Sequence, residues 1–219
     1  MKALQIFLGY DPRQPVAFHV AAHSIQSRSS KPVAITRLQL NQLPITRRGL
    51  TEFTYSRFLV PYLCDYQGYA AFIDADVLCR ADIAALATLI DTDAVVSVVP
   101  HEGKLAFERA SLMVFNNARC RVLTPEFVQN PQTNPMSLAW ADGHMGAIPK
   151  EWNHLVGYDV PNHQAKIVHF TQGIPCWPET KSSEFADEWL QTLRQIGSTV
   201  SFQELMGKSV HPLAQKVSA

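Results

Sequence analysis

Residues 68–78 read GYAAFIDADVL. Tyr69 to Ile73 form a short, wholly apolar run, which is the pattern of a central strand buried on both faces of a parallel sheet. The run leads directly into two carboxylates, Asp74 and Asp76, in an Asp-x-Asp (DXD) arrangement. Ligands of open α/β sheets bind beyond the carboxyl ends of the strands, so these carboxylates are predicted to lie at a ligand-binding edge. Hard oxygen ligands suit Mg²⁺ or Mn²⁺, and such an ion can bridge nucleotide phosphates.

The chain contains a second Asp-x-Asp, Asp91-Thr92-Asp93, which serves as an internal control. It precedes the apolar run Ala94 to Val99 instead of following it. We therefore expect Asp91 and Asp93 to lie at the opposite edge of the sheet, as solvated carboxylates in a turn. Position after a strand, and not spacing alone, singles out Asp74 and Asp76.

The rest of the chain reads as alternating strands and helices, the pattern of an α/β fold with a mostly parallel sheet. With no repeat or linker in the sequence, we expect one domain over residues 1–219. Predicted strands cover Ala3 to Leu8, Val33 to Leu38, Tyr69 to Ile73, Ala94 to Val99, Ser111 to Phe115 and Lys166 to Phe170. Predicted helices cover Pro15 to Gln26, Phe53 to Leu63 (with an end or kink at Pro61), Asp82 to Ile90 and Ser183 to Ile196.

Composition sets limits on function. The 219 residues carry 19 basic and 19 acidic side chains, so the overall charge does not indicate binding to nucleic acid or an anionic membrane. No apolar stretch is long enough to span a bilayer, and the first apolar run is too short for a signal peptide. The four cysteines are scattered, without a Cys-x-x-Cys pair. A cytoplasmic protein with reduced thiols is expected.

A second candidate ligand follows a strand near the other end of the chain. Residues 166–177 read KIVHFTQGIPCW, so that His169 ends an apolar run and a loop with Gly173 follows. A lone histidine in such a place is commonly structural. Gly173 would let the main chain approach phosphate oxygens closely.

Together these motifs resemble family 8 glycosyltransferases, the glycogenin and lipopolysaccharide galactosyltransferase type. The family's late motif is usually His-x-x-Gly-x-x-Lys-Pro-Trp. Here His169 and Trp177 match it, the glycine is shifted to Gly173, and the lysine is absent. The sequence is most similar to a bacterial and phage subgroup of the same fold. The blocks that carry this similarity are TYSR (54–57), FIDAD (72–76), SLMVFNN (111–117), PKEWN (149–153) and the His169 segment.

The resemblance implies a GT-A fold and a role for each matching residue. Asp74, Asp76 and His169 would coordinate Mn²⁺ or Mg²⁺ together with the donor diphosphate. Further donor contacts are implied for Tyr10 and Asp11 (base and ribose), Arg57 (phosphates or sugar), Ala75, Asn116 (sugar), Gly173 and Trp177. Arg57, Asp76 and Asn116 are the implied catalytic residues.

Several of these residues also have ordinary structural interpretations. Arg57 could be a surface arginine on an amphipathic helix, and Tyr10 and Asp11 a turn and helix cap before Pro12. Core packing would account for Trp140, Trp152 and Trp177, although one of them could stack on a sugar or base. Asp142 fits a turn before Gly143 but could contact a substrate.

The function implied is metal-dependent transfer of a sugar, most simply a hexose from a UDP donor, to a glycan or other hydroxyl acceptor, with retention of configuration. Residues 207–209 (GKS) imitate a P-loop, but Phe202 replaces its first glycine. Metal and side chains must therefore handle the phosphates. Two alternatives stay open: a non-catalytic nucleotide-sugar or glycan-binding module, and a glycoside hydrolase, which needs two carboxylates about 5 Å or more apart across a sugar.

Overall fold

The fold was analysed in a computed structural model, which describes residues 4–141 and 144–196. The β-strands are β1 (Leu4–Gly9), β2 (Val33–Leu38), β3 (Tyr69–Ile73), β4 (Val77–Cys79), β5 (Val96–Val98), β6 (Leu112–Asn116), β7 (Met145–Ala147), β8 (His154–Leu155) and β9 (Ile167–His169). The α-helices are α1 (Pro15–Arg28), α2 (Phe53–Ser56), α3 (Val60–Leu63), α4 (Pro125–Gln129) and α5 (Ala186–Ile196). Among the described helices, none is both long and apolar enough to cross a bilayer.

Six strands form the main sheet in the order β2-β1-β3-β6-β5-β7. The pairs β1–β2, β1–β3 and β5–β7 are parallel, whereas β6 runs antiparallel to both of its neighbours. Five strands therefore point the same way, and the predicted α/β class with a mostly parallel sheet is confirmed. A smaller sheet, β4-β9-β8, joins the strand after Asp76 to the strand that ends in His169.

The central strands are buried on both faces, as their apolar sequences predict. Along β3, Ala71 and Ile73 contribute to one apolar cluster, and Ala70 and Phe72 contribute to the other. Helix α1 begins at Pro15, whose fixed φ suits a first helical position. Its residues Ala21 and Ile25 cover the face formed by Ala71 and Ile73.

Two predicted helices differ in form from a regular α-helix. The segment from Phe53 to Leu63 is divided by a 3₁₀ turn, Arg57–Leu59, so the interruption lies before Pro61 and not at the predicted position, and Pro61 lies in the first turn of α3. Proline has no backbone N–H, so it cannot donate the α-helical hydrogen bond to the carbonyl four residues earlier. The segment Ile83–Leu89, predicted as a helix, is a 3₁₀ helix. Helix α5 begins three residues later than predicted, because Phe185 has a left-handed φ of 62°.

Candidate metal and donor site

Two strand connections bring the carboxylates and the histidine together. Asp74 follows β3, and Asp76 directly precedes β4. Strand β4 pairs antiparallel with β9, with Val77 opposite His169, and the Phe170 amide donates to the Asp76 carbonyl at 2.9 Å. Residues almost a hundred positions apart thus meet at the carboxyl edge of the main sheet.

The cluster has the composition and spacing of a divalent-cation site. Ligand atoms of Asp74, Asp76 and His169 all lie within 4.8 Å of one another. His169 Nε2 is 3.3 Å from Asp76 Oδ1 and 3.8 Å from Asp74 Oδ2. The Oδ1 atoms of both aspartates are buried and lack a hydrogen bond of good geometry, although Arg57 Nη1 lies 2.9 Å from that of Asp74 and His169 Nε2 lies 3.3 Å from that of Asp76. Buried carboxylate oxygens beside an imidazole nitrogen are a donor set that fits Mn²⁺ or Mg²⁺.

Burial and mutual proximity shift the pKa values of all three groups. Desolvation, reinforced by the charge of Asp76, raises the pKa of Asp74 to about 7 even though Arg57 opposes the shift. Burial alone would lower the pKa of His169, but the neighbouring carboxylates, Asp76 foremost, outweigh it and raise that pKa to about 9. Burial would raise the pKa of Asp76, yet contact with His169 lowers it overall. The metal-free cluster is therefore a charged, coupled unit.

Arg57 lies in the interior beside this cluster and not on the surface. Its Nη1 is 2.9 Å from Asp74 Oδ1 and donates to the Ala110 carbonyl at 2.7 Å, while Nε donates to the Phe53 carbonyl at 3.2 Å. Its side chain is only 6% exposed. The interpretation of Arg57 as a surface arginine is wrong. Its observed partners are Asp74 and the main chain.

Tyr10 and Asp11 lie where β1 ends, on the same edge of the sheet as Asp74. The Asp11 carboxylate binds Arg13 through two hydrogen bonds, at 2.9 and 2.6 Å, and also accepts from the Glu52 amide at 3.3 Å. Arg13 thereby lowers the pKa of Asp11. The half-buried Tyr10 ring has the Arg37 guanidinium 4.7 Å from its centroid. Both residues have structural partners, and a donor contact remains a prediction for each.

The loop after His169 is shaped by Gly173. Its φ of 116° is one that L side chains rarely adopt, and its amide donates to the Phe170 carbonyl at 2.8 Å. Trp177 follows in the same loop and is 45% exposed. In contrast, Trp152 is fully buried, and Trp140 stacks on Phe115 in the core. Trp177 is therefore the one of these three tryptophans with substantial surface for a substrate.

Asn116 does not belong to this site. Strand β6 runs antiparallel to β3, so Leu112 lies opposite Ile73 and Asn116 lies opposite Tyr69, about 13 Å along the strand. Asn116 Nδ2 donates to the Thr92 carbonyl at 3.2 Å. The expectation that Asn116 contacts the donor sugar is wrong. Because Thr92 lies between Asp91 and Asp93, this contact also places the control Asp-x-Asp at the edge of the sheet opposite Asp74, as predicted.

The beginning of β6, and not its end, adjoins the cluster. The Asp74 amide donates to the Ser111 carbonyl at 2.9 Å. Glu108 is buried behind His169, with Oε2 3.6 Å from His169 Nδ1, and it accepts from the Ser111 hydroxyl at 2.7 Å. Asn153 accepts from His169 Nδ1 at 3.1 Å. Sequence reasoning did not assign roles to Glu108 or Asn153, although Asn153 ends one of the matching blocks. Asp142 and residues 207–209 lie outside the described part of the chain.

Known proteins resemble this chain in sequence and in fold. No protein-family model matches the sequence. Protein CDI of Arabidopsis thaliana is 37% identical over 229 residues, which cover 89% of this chain and 87% of that protein. Among solved structures, the bifunctional glycosyltransferase WbbM has a TM-score of 0.69 at 15% identity over 93% of this chain and 51% of its own. This chain thus spans about half the length of WbbM.

Two further solved structures have the same fold. An active-site mutant of LgtC gives a TM-score of 0.64 at 12% identity, covering 92% of this chain and 99% of its own. The glycosyltransferase GlyE of Streptococcus pneumoniae gives 0.60 at 14% identity, covering 88% and 61%. At these identities the likeness shows the fold, and the predicted GT-A fold is confirmed. This chain belongs to the family of Arabidopsis thaliana Protein CDI, with the fold of GT-A glycosyltransferases.

Proposed function

We propose that this protein is a glycosyltransferase that uses Mn²⁺ or Mg²⁺ to transfer a sugar from a nucleotide diphosphate donor to a hydroxyl acceptor. The observation that carries the proposal is the Asp74-Asp76-His169 cluster, with its buried carboxylate oxygens at the carboxyl edge of the sheet. UDP-hexose is the proposed donor, a glycan the proposed acceptor, and retention the proposed outcome. Residues 1–219 are proposed to form one domain. Cytoplasmic location stays a prediction.

Each residue then has a defined task. Asp74, Asp76 and His169 would hold the cation, which when bound supplies Lewis-acid charge to the leaving diphosphate. Arg57 favours the ionised form of Asp74 and orients its carboxylate through their 2.9 Å contact. Gly173 would let the loop main chain approach the phosphates, and Trp177 offers an exposed ring beside them. A retaining front-side route passes the acceptor proton to the departing phosphate oxygen, so no protein base is assigned.

A donor panel tests the activity directly. Thermal shifts with several nucleotide sugars, each with Mn²⁺ and with chelator, should show one preferred donor whose stabilisation requires the cation. Release of nucleoside diphosphate, with sugar transferred to an acceptor or to water, should then be detected with that donor. Binding without any turnover would favour the non-catalytic module. Release of free sugar from glycans without a nucleotide would favour a hydrolase.

A matched pair of aspartate variants tests the site. Asp76→Ala should abolish Mn²⁺-dependent donor binding in titration calorimetry, because it removes a ligand at the ligand-binding edge. Asp93→Ala removes an exposed carboxylate from the other Asp-x-Asp, at the far edge of the sheet, and should leave donor binding unchanged. Equal losses in the two variants would contradict the proposed site.

A further inference from the structure

A buried polar network stands behind His169, on the side away from the two aspartates. Three side chains outside the metal cluster form it: Asn153, which is 1% exposed, His101 at 7% and Glu108 at 5%. They come from three separate segments of the chain. Polar groups this deeply buried are costly unless their hydrogen bonds are made, so the network constrains the orientation of each member.

The orientation of the Asn153 amide is fixed by the Glu108 main chain. Asn153 Nδ2 lies 3.2 Å from the Glu108 carbonyl oxygen and 3.2 Å from His101 Nε2. A carbonyl oxygen only accepts, so the amide NH₂ group must face it. The opposite end of the amide, Oδ1, then faces His169 Nδ1 at 3.1 Å. A flipped amide would bring two acceptors together at Glu108.

Because Oδ1 of an amide also only accepts, His169 Nδ1 must carry a proton. The other ring nitrogen, Nε2, is the one that faces Asp76 Oδ1 and Asp74 Oδ2, at 3.3 and 3.8 Å. We propose that Asn153 is a positioning residue that holds the His169 proton on Nδ1 and so presents Nε2 to the cation. This inference deepens the proposed function, since it rests on the same metal site.

The neighbouring groups make Asn153, and not Glu108, the partner of Nδ1. Glu108 Oε2 is 3.6 Å from Nδ1, which is beyond a hydrogen bond, and it accepts from the Ser111 hydroxyl instead. The main chain keeps Asn153 in place. It lies between the 3₁₀ turn Lys150–Trp152 and β8, and β8 pairs in parallel with β9 so that Leu155 is opposite His169.

Two substitutions separate positioning from a purely structural role. Asn153→Ala removes both ends of the amide. Asn153→Asp keeps an oxygen that accepts from Nδ1 but loses the NH₂ that donates to Glu108 and His101. If Asn153 positions His169, Asn153→Ala should weaken Mn²⁺ binding by about 10–100-fold, as loss of outer-shell partners commonly does, and Asn153→Asp should keep most of the affinity.

Asn117→Ala is the matched control. Asn117 is fully buried and its Nδ2 donates to the Gln67 carbonyl at 2.9 Å, so its removal costs a similar hydrogen bond away from the metal cluster. Thermal unfolding without metal should show destabilisation in both Asn117→Ala and Asn153→Ala, and more in Asn153→Ala, which loses more contacts. Only Asn153→Ala should also lose Mn²⁺ affinity.

The protonation of the ring gives a readout that does not depend on activity. In ¹⁵N-histidine spectra of the metal-free wild type, recorded at a pH where the ring is neutral, His169 should show a hydrogen-bonded Nδ1–H and no proton on Nε2. With diamagnetic Mg²⁺ bound, the proton should remain on Nδ1 and be absent from Nε2. Asn153→Asp should keep the Nδ1–H signal, and Asn153→Ala should lose its protection from exchange with water.

Outcomes that overturn the inference are distinct from failure of the proposed function. Equal loss of Mn²⁺ affinity in Asn153→Ala and Asn153→Asp would reduce Asn153 to a structural residue. A proton on Nε2 in the Mg²⁺-bound wild type would contradict the inference without any variant. If the wild type bound neither ion, the proposed function would fail, while metal-free spectra at a pH where the ring is neutral would still show whether its remaining proton lies on Nδ1, beside Asn153.

Discussion

Arg57 connects the fold to the chemistry at the level of one residue. Its guanidinium is buried, lies 4.8 Å from the Phe72 ring centroid and contacts the Asp74 carboxylate. Without this partner, Asp74 would be a buried charge next to a second carboxylate, Asp76. Burial already raises the pKa of Asp74 to about 7, and the charge of Arg57 is what restrains a larger rise. Arg57 thus keeps Asp74 available as an anionic ligand.

We therefore predict that Arg57→Ala destabilises the protein by about 3–5 kcal/mol, the usual cost of leaving one member of a buried ion pair unpaired. It should also weaken Mn²⁺ binding near pH 7, because Asp74 would be protonated. Arg57→Lys should lose less stability and less Mn²⁺ affinity, since lysine keeps the positive charge but cannot make the hydrogen bonds that Arg57 makes from both Nε and Nη1. Denaturant unfolding and calorimetric titration measure the two effects.

Arg48→Ala is the control for Arg57. Arg48 also contacts a carboxylate, Glu52 at 3.5 Å, but its side chain is 70% exposed. A surface pair of this kind contributes about 0–1 kcal/mol, so the variant should unfold and bind metal like the wild type. Wild-type behaviour in Arg57→Ala as well would show that Asp74 does not depend on its partner.

At the level of elements, strand direction decides which of the predicted residues the fold brings together. An apolar run predicts that a strand exists, and for β3 and β9 the residue at its carboxyl end does lie in the site. Asn116, whose role only the family resemblance implied, lies away from the site, because β6 runs antiparallel and its end faces the far edge. Nothing in a short apolar run distinguishes the two directions. Direction depends on long-range pairing.

The loop after β9 turns at a glycine, Gly173, whose φ is strongly positive. At Gly173 the φ of 116° lies well outside the left-handed well near +57° that other residues can occupy. Gly173→Ala should therefore cost about 1–3 kcal/mol of stability, or shift the loop that carries Trp177 and weaken donor binding. Thermal unfolding and nucleotide titration would detect either result.

Gly103→Ala provides the comparison for Gly173. Gly103 has a φ of 57°, within that well, and an added Cβ would meet no atom within 4 Å. Its substitution should cost about 1 kcal/mol and leave donor binding unchanged. If the two alanine variants were equally stable and bound donor equally well, the backbone of Gly173 would not be what shapes this loop.

At the level of the whole molecule, the sequence predicted most of the framework and the three cluster residues but not what surrounds them. Asp74, Asp76 and His169 each end a strand or follow one, and this is visible locally. Glu108, in the segment before β6, and Asn153, just before β8, reach His169 only in the folded chain. Such contacts depend on tertiary packing, and no local pattern specifies them. The burial of Arg57 likewise depends on packing against Phe53 and Phe72.

The same packing places several charges in one buried site, which makes the stability of the metal-free protein depend on pH. His169 has a pKa of about 9 when folded, above its ordinary value of 6.5, so the stability it contributes is present below 6.5 and is lost as pH rises through 9. The pKa of Asp74 is raised from 3.8 to about 7, so the stability it contributes is likewise lost as pH rises from 3.8 through 7. The lowered pKa of Asp76 has the opposite effect, because its contribution is lost as pH falls through the acidic range.

We predict that Mn²⁺ offsets this trend between pH 6 and 8.5. A ligating imidazole must be neutral, so binding releases a proton from His169, and below pH 7 also from Asp74, and affinity should rise at least about tenfold per pH unit, or about 1.4 kcal/mol. Without metal the melting temperature should fall across this range, and with fixed excess Mn²⁺ the stabilisation should grow. His169→Ala should bind weakly and lose most of that pH dependence. A wild type whose Mn²⁺-induced shift stays constant from pH 6 to 8.5 would show that His169 gives up no proton, and hence that it is not a ligand.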